Sequence, residues 1–305
     1  MQDLLEQRGA IVTGGARGIG LAIAQTLGLL GARVLIVDNG AAIDGEPEDP
    51  AVTELAAMRV PGALAMAADV AAPGVAAEAV ATAVREFGTL DIVVNNAAIV
   101  RPASILHAQR DDFERMLQSN LVGPFALLAA ATPVMHEQVR AGRLPGSIVN
   151  VVSAAGLYGT PGRAGYAAAK AGLAGLSRAV AIDLASTGIT CNAVAPFAAT
   201  RVTRAFEPAD ADQAQFKAHA LQLPASHVAN VVAWLVSPQA AGVTGQVIGV
   251  RGREVFVFSQ SRPSATFFQP RLFDADEFAA GVGELRRDFT DLGSDLDAFN
   301  IDPVV

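Results

Sequence analysis

At 305 residues, 51% of them hydrophobic and only 17% charged, the chain carries enough apolar material for one large buried core and falls outside the disordered class. Its net charge of −8 advertises no basic face, so neither a nucleic-acid nor an anionic-membrane partner is expected. The lone Cys191 cannot close an intrachain disulfide, and the first six residues lack a basic stretch leading into an apolar run. Pro124 and Pro133 interrupt the longest apolar stretch, Leu121 to Met135, which reads as a core helix; the expectation is a cytoplasmic protein without a leader or membrane span.

In chain order, Gly9 to Val12 runs through Thr13 into glycines and then a helical pattern from Leu21 to Leu30. Arg33 to Val37 ends at Asp38, Ala63 to Ala67 at Asp69, and Leu90 to Val94 at Asn95-Asn96. Ser147 to Val152 ends at Ser153, Gly188 to Val194 at Pro196, and Val247 to Val250 closes the series. Short apolar runs alternating with helical patterns predict parallel βαβ units. With right-handed crossovers, the expected fold is α/β: a single Rossmann-like doubly wound parallel sheet flanked by helices. Thr13, Asp38, Asp69, Asn95 and Ser153 then fall at the carboxyl ends of the strands, where such sheets bind ligands. Residues 39–53, acidic and rich in Pro and Gly, read as a solvated loop. Residues 251–305 hold the run Val255-Phe256-Val257-Phe258, an aromatic stretch around Phe267-Phe268 and an amphipathic pattern from Asp274 to Leu285. The expected organisation is a catalytic domain over 1–250 with 251–305 as an extension packed on it.

Thr13-Gly14-Gly15-Ala16-Arg17-Gly18-Ile19-Gly20 lies between a strand and a helix. There Gly14 permits the sharp turn, Gly18 lets backbone approach a pyrophosphate and Gly20 lets helix pack on strand, while the helix N-terminus offers free N–H groups to phosphate. In this strand–loop–helix setting the loop reads as a dinucleotide site. Asp38, 18 residues beyond Gly20, can accept bonds from an adenosine ribose and would repel a 2′-phosphate, favouring NAD; Arg17 pulls the other way and leaves NADP open.

Tyr166 and Lys170, four apart, share one helix face. A phenol titrates near ~10, and a neighbouring ammonium stabilises the phenolate, so the pair suits general acid/base work on an alcohol. Ser153, 13 residues earlier at a strand end, can orient the reacting oxygen; the plainer reading is a turn or cap serine. Asn120 is a polar residue inside an apolar helix and reads as serving a kink or a bound water.

These motifs, with Asp69-Val70, Asn95-Asn96-Ala97 and Asn192-Ala193-Val194-Ala195-Pro196, resemble the classical short-chain dehydrogenase/reductase family over residues 8 to about 250. The resemblance implies an Asn120–Ser153–Tyr166–Lys170 tetrad: Tyr166 exchanges the proton, Ser153 holds the substrate oxygen, Lys170 binds the nicotinamide ribose and tunes Tyr166, and Asn120 holds a relay water. It also implies a cofactor against Gly14, Arg17, Gly18, Ile19 and Gly20, then Asp38, Asp69 and Val70, with Asn95, Asn96 and Ala97 on the adenosine side. Tyr166, Lys170, Pro196 and Thr200 complete that set, and a homodimer or homotetramer is implied. Three positions depart from the family pattern: Ala98 and Phe197 stand where glycines are usual, and Val250-Arg251-Gly252 replaces Val-Asp-Gly.

The extension and the 39–50 loop loosely resemble the dehydrogenase unit of peroxisomal multifunctional β-oxidation proteins, which implies 3-hydroxyacyl-CoA thioesters or hydroxysteroids as substrates. Arg251, Arg253 and Arg262 can meet CoA phosphates or, more simply, make surface ion pairs. Residues 197–225 read as a substrate lid with Phe206, Phe216, Leu221 and Leu223; together with Leu157, Tyr158 and Phe197 they predict a hydrophobic alcohol or ketone. His107, His136, His219 and His227 are scattered, so no metal is expected. Helices over 111–136 and 165–186 carry small residues and broad apolar faces suited to self-association. Two rival readings are a non-catalytic NAD-binding sensor on this fold and an epimerase or dehydratase that reoxidises its cofactor.

Overall fold

The computed structural model describes residues 4–268, 276, 279, 281, 283 and 285–305. The strand β1 (Gly9–Thr13) is buried at every position, as an all-apolar strand must be when helices cover both faces of its sheet. The other strands are β2 (Arg33–Asp38), β3 (Leu64–Ala67), β4 (Ile92–Asn95), β5 (Ser147–Val151), β6 (Thr190–Phe197), β7 (Val247–Arg251) and β8 (Glu254–Phe258). Their spatial order is β3-β2-β1-β4-β5-β6-β7-β8. All neighbours are parallel except β7 and β8, which form an antiparallel pair with Gly249 opposite Phe256. This is the doubly wound sheet expected from the alternation, with its order reversing between β1 and β4.

Alternate residues on each strand feed opposite layers. Val12, Ile36, Val94 and Ile248 pack with Leu27 of α1 (Gly18–Leu29) and Val232 of the helix Ser226–Leu235. Ile11, Leu35, Val93 and Ile148 pack with Val80 of the helix Val75–Phe87 and Leu127 of the helix Gly123–Arg140. The first helix starts at Gly18, three residues before its apolar pattern does, because its opening glycines carry no hydrophobic signal.

The extension joins the sheet through β8, whose Val255 and Val257 face solvent while Phe256 and Phe258 turn inward. Gly249 is required beneath Phe256: a Cβ there would lie 2.2 Å from the ring. The chain then returns as a short helix, Asp295–Phe299, closed by a Ser294–Asp297 capping box. The amphipathic pattern expected over 274–285 lies mostly outside the described residues.

Candidate active site

A cleft of about 520 Å³ opens at the carboxyl ends of the strands. One end is built by the glycine loop. A Cβ on Gly14 would sit 2.7 Å from the Ala97 Cα, and one on Gly20 would sit 2.1 Å from the Gly14 carbonyl, so both positions need glycine for close packing. Gly18, at φ +56°, meets nothing nearer than the Thr200 methyl at 3.9 Å, which leaves its face open to the cleft. The N-terminus of α1 has no side-chain cap, so its first N–H groups remain for an anion. These features fit a dinucleotide pyrophosphate.

Gly14, Arg17, Gly18, Ile19, Asp38, Asp69, Val70, Asn96 and Ala97 line this end. Gly20 acts from behind, as the contact between α1 and the loop. The Asp38 carboxylate accepts from the Ala16 N–H at 3.0 Å and the Gly40 N–H at 2.8 Å, which hold it at the cleft wall. Asn96 ties the loop down, its amide donating to the Thr13 and Gly14 carbonyls. Asn95 turns the other way and donates to the Asn150 side chain inside the sheet, so it does not reach the cleft.

The 39–53 segment is solvated, as its composition implies, over its acidic, Pro-rich part, residues 46–51. Residues 41–45 wall the cleft, and the loop is pinned by arginines from distant parts of the chain. Arg17 and Arg201 both bond Glu48; Arg101 and Arg115 both bond Glu46. The Ile43 carbonyl also accepts from the Val100 N–H at 2.7 Å. Arg17 therefore lines the cleft with its charge opposed by Glu48.

At the other end the helix Ala164–Asp183 presents Tyr166 and Lys170 to the cleft. Lys170 is buried and donates to the Val151 carbonyl at 2.7 Å, with its Nζ 5.8 Å from the Tyr166 ring centre. Burial without a carboxylate partner pushes the Lys170 ammonium down to about 8. Burial pushes the Tyr166 phenol above its ordinary value; the Ser153 hydrogen bond and the Arg163 charge pull it partly back, and Asp295 pushes it further up. This direction is opposite to the one expected from an adjacent ammonium alone, because desolvation of the phenolate outweighs the favourable charges. Ser153 also accepts from the Ala155 N–H at 3.2 Å, which fixes its hydroxyl at the strand end.

Asn120 does not line the cleft. It is fully buried in a π-helical turn, Gln118–Val122, where its amide donates to the Ile99 carbonyl at 2.9 Å and its oxygen accepts from the Ile99 N–H at 2.8 Å. The kink read from its position is this turn. Pro196, Phe197, Phe206 and Phe216 also line the cleft, and Thr200 lines it beside the glycine loop. Leu157 and Tyr158 do not: Leu157 packs against the apolar cluster around Leu173, and Tyr158 meets Phe258 and Phe299 edge-on. Of the other lid residues, Leu223 is buried beside Phe197 and Leu221 points outward.

The departures at 197 and 251 have one explanation. Phe197 packs on Phe299, with centroids 4.7 Å apart, and on Phe256. Arg251 is buried, pairs with Glu254 and donates to the Ile301 and Asp302 carbonyls. Both hold the C-terminal segment against the cleft, so Arg251 is not free for a phosphate. That segment contributes Asp295 and Leu296 to the lining, and Thr160 and Arg163 join them from the neighbouring turn. None of these four carries a sequence signal, and the Thr160–Asp295 contact joins positions 135 residues apart.

Residues 14–252 match the family described as Enoyl-(Acyl carrier protein) reductase. The chain belongs to the classical short-chain dehydrogenase/reductase family. It is 36% identical over 253 residues to a 3-oxoacyl-(acyl-carrier-protein) reductase of Staphylococcus aureus, a match spanning 80% of this chain and 97% of that protein. The corresponding reductase of Escherichia coli is 37% identical over 254 residues, across 80% of this chain and 95% of that protein. Among solved structures, a short chain dehydrogenase from Mycobacterium avium superposes with a TM-score of 0.81 at 32% identity, covering 95% of this chain and 98% of that one. A 3-ketoacyl-(acyl-carrier-protein) reductase from Brucella melitensis complexed with NADH gives 0.73 at 30% identity, covering 82% and 98%. Coverage of 95% carries the Mycobacterium avium match into the C-terminal extension of this oxidoreductase, whereas the carrier-protein reductases cover close to the part that precedes it.

Proposed function

We propose that this short-chain dehydrogenase/reductase interconverts a hydrophobic secondary alcohol and its ketone with NAD(H). The observation that carries the reading is the convergence of Ser153, Tyr166 and Lys170 in the same cleft as an open-faced glycine loop and an uncapped helix N-terminus. The loop and α1 would hold the pyrophosphate, Asp38 the adenosine ribose and Lys170 the nicotinamide ribose, with Pro196 and Thr200 beside the ring. When bound, the nicotinamide supplies or takes up the hydride.

The protein's own part is proton handling. Ser153 orients the substrate oxygen toward the phenol. Tyr166 gives its proton to the carbonyl oxygen in reduction and recovers it in oxidation. A phenol held above its ordinary value is protonated at neutral pH, which supports ketone reduction. Below about pH 8 the Lys170 ammonium offsets charge developing on the phenolate. Asn120, held in the π turn by its bonds to the Ile99 backbone, is the proposed holder of a relay water that continues the proton path.

NAD is favoured over NADP because Asp38 lines the cleft and Glu48 occupies Arg17. The apolar wall of Phe197, Phe206 and Phe216 supports a hydrophobic substrate; a 3-oxoacyl thioester, the substrate type in its relatives' names, and a hydroxysteroid both belong in the trial panel. Among the described residues no group of His, Cys, Asp and Glu could hold a metal, and no helix is long and apolar enough to cross a membrane. Burial pushes the Cys191 thiol up to about 12, so it is no nucleophile at neutral pH. We read the protein as cytoplasmic and homo-oligomeric, with 251–305 packed on the 1–250 domain.

The test is NADH absorbance over alcohols, ketones and thioesters. Net turnover should fall by ~10²–10⁴ in Tyr166→Phe, the range for a lost general acid, with NADH affinity little changed. Binding without turnover across the panel would indicate a sensor, and interconversion of epimers without net NADH change would indicate an epimerase; either defeats the reading.

A further inference from the structure

The substrate end of the cleft contains a carboxylate that the acid/base chemistry does not use. Asp295 opens the C-terminal helix, is nearly buried and lines the cleft with Tyr166. Thr160 donates to its Oδ1, while its backbone N–H donates to the Gly159 carbonyl at 3.0 Å. Helix capping does not require its side chain, because Ser294 and Asp297 supply the capping box. Phe299, one turn later on the same helix, locks the segment in place by stacking on Phe256 at 5.6 Å and packing on Phe197.

A carboxylate in this position works against the proposed chemistry, since its charge opposes formation of the Tyr166 phenolate and burial disfavours its own ionisation. Arg163, whose guanidinium sits 5.0 Å from the Phe206 ring centre, offsets part of that. An apolar side chain would close the cleft without either penalty. What Asp295 adds to walls of Phe197, Phe206, Phe216 and Leu296 is a strong hydrogen-bond acceptor.

We propose that Asp295 is a specificity-determining residue that accepts a hydrogen bond from a hydroxyl on the substrate, distant from the reacting carbon. The substrate class is then a hydroxylated apolar ketone, or the matching diol, rather than a plain hydrocarbon ketone. This rests on the oxidoreductase reading above and narrows it.

The test uses ketone pairs matched except for one hydroxyl: decalone with hydroxydecalone, and a steroid ketone with and without a distal hydroxyl. With the full-length protein and NADH, kcat/KM should favour the hydroxylated member by about tenfold or more in at least one pair, the scale of a bond to a charged acceptor. Asp295→Leu should level that pair by bringing the ratio of its two members toward one, on top of any change common to both that the lost charge makes through Tyr166. Asp295→Asn keeps the shape and a neutral acceptor, so it should lower the preference several-fold without erasing it; it decides the matter if the Leu variant does not fold. No preference in either wild-type pair, or an equal loss on both members in the variants, overturns the proposal. Tyr166→Phe run alongside separates the two claims: if turnover still requires Tyr166 while the pairs show no Asp295 dependence, only the present inference falls.

Discussion

Lys170 is a buried ammonium bonded to the Val151 carbonyl, and its ordinary value of 10.5 falls to about 8. Between those two values the unfolded chain retains a proton that the folded chain has released. Stability contributed at this position therefore rises with pH across that window. In the cofactor-free protein, denaturant titrations should show wild type gaining about 2 kcal/mol on Lys170→Met between pH 7.5 and 9.5, at ~1.4 kcal/mol per pH unit above the folded value. A difference between the two proteins that stays constant with pH would mean that Lys170 is not desolvated as described. Tyr166 and Lys170 were legible in the sequence because a separation of four on a helix is a local property. The direction of the Tyr166 shift was not, because burial outweighs the favourable charges and depends on everything packed around the ring.

At the scale of elements, the strands and their polar ends were readable from periodicity, and the glycine loop from its setting between β1 and α1. Within the 39–53 loop the acidic, Pro-rich part is exposed as its composition implies, whereas the placement of 41–45 in the cleft wall has no compositional signal. Here Glu46 and Glu48 meet arginines 31 to 153 positions away in the chain, and those partners decide the loop's place. The same pairs have a consequence for cofactor choice. Arg17 and Arg201 converge on Glu48 beside Asp38, so removing the Glu48 charge leaves two guanidinium groups for a 2′-phosphate. We predict that Glu48→Gln raises kcat/KM with NADPH about fivefold and changes NADH use little, the worth of roughly 1 kcal/mol for a partly exposed ion pair. An unaltered NADPH/NADH ratio would show that these arginines do not face the 2′ position.

At the scale of the molecule, the helices Arg110–Leu117, Gly123–Arg140 and Ala164–Asp183 leave large apolar side chains in solvent: Phe113 at 41%, Phe125 at 55% and Ile182 at 75% exposure. Such residues on neighbouring helices suit a two-fold interface. Sedimentation velocity is expected to show a dimer or tetramer for wild type and a smaller species for Phe125→Asp, with turnover per site retained in proportion to folded protein; a wild-type monomer rules the interface out. The tail acts at the same scale. Phe197 and Arg251, legible only as departures from a family pattern, acquire a purpose once Phe299, Ile301 and Asp302 are seen against them.

By itself the amino-acid order determined the doubly wound sheet, the strand-end cleft, the glycine loop and the Ser153–Tyr166–Lys170 array, because each arises from periodicities and spacings within one or two elements. Only the tertiary structure decided that Leu157 and Tyr158 lie outside the cleft, that Asn120 sits in a π turn bonded to Ile99, and that Asp295 lines the cleft with Tyr166 from the far end of the chain. Those outcomes depend on contacts such as Thr160–Asp295 and Tyr158–Phe299, between segments more than a hundred residues apart, where packing and paired charge select among placements that local composition leaves equal.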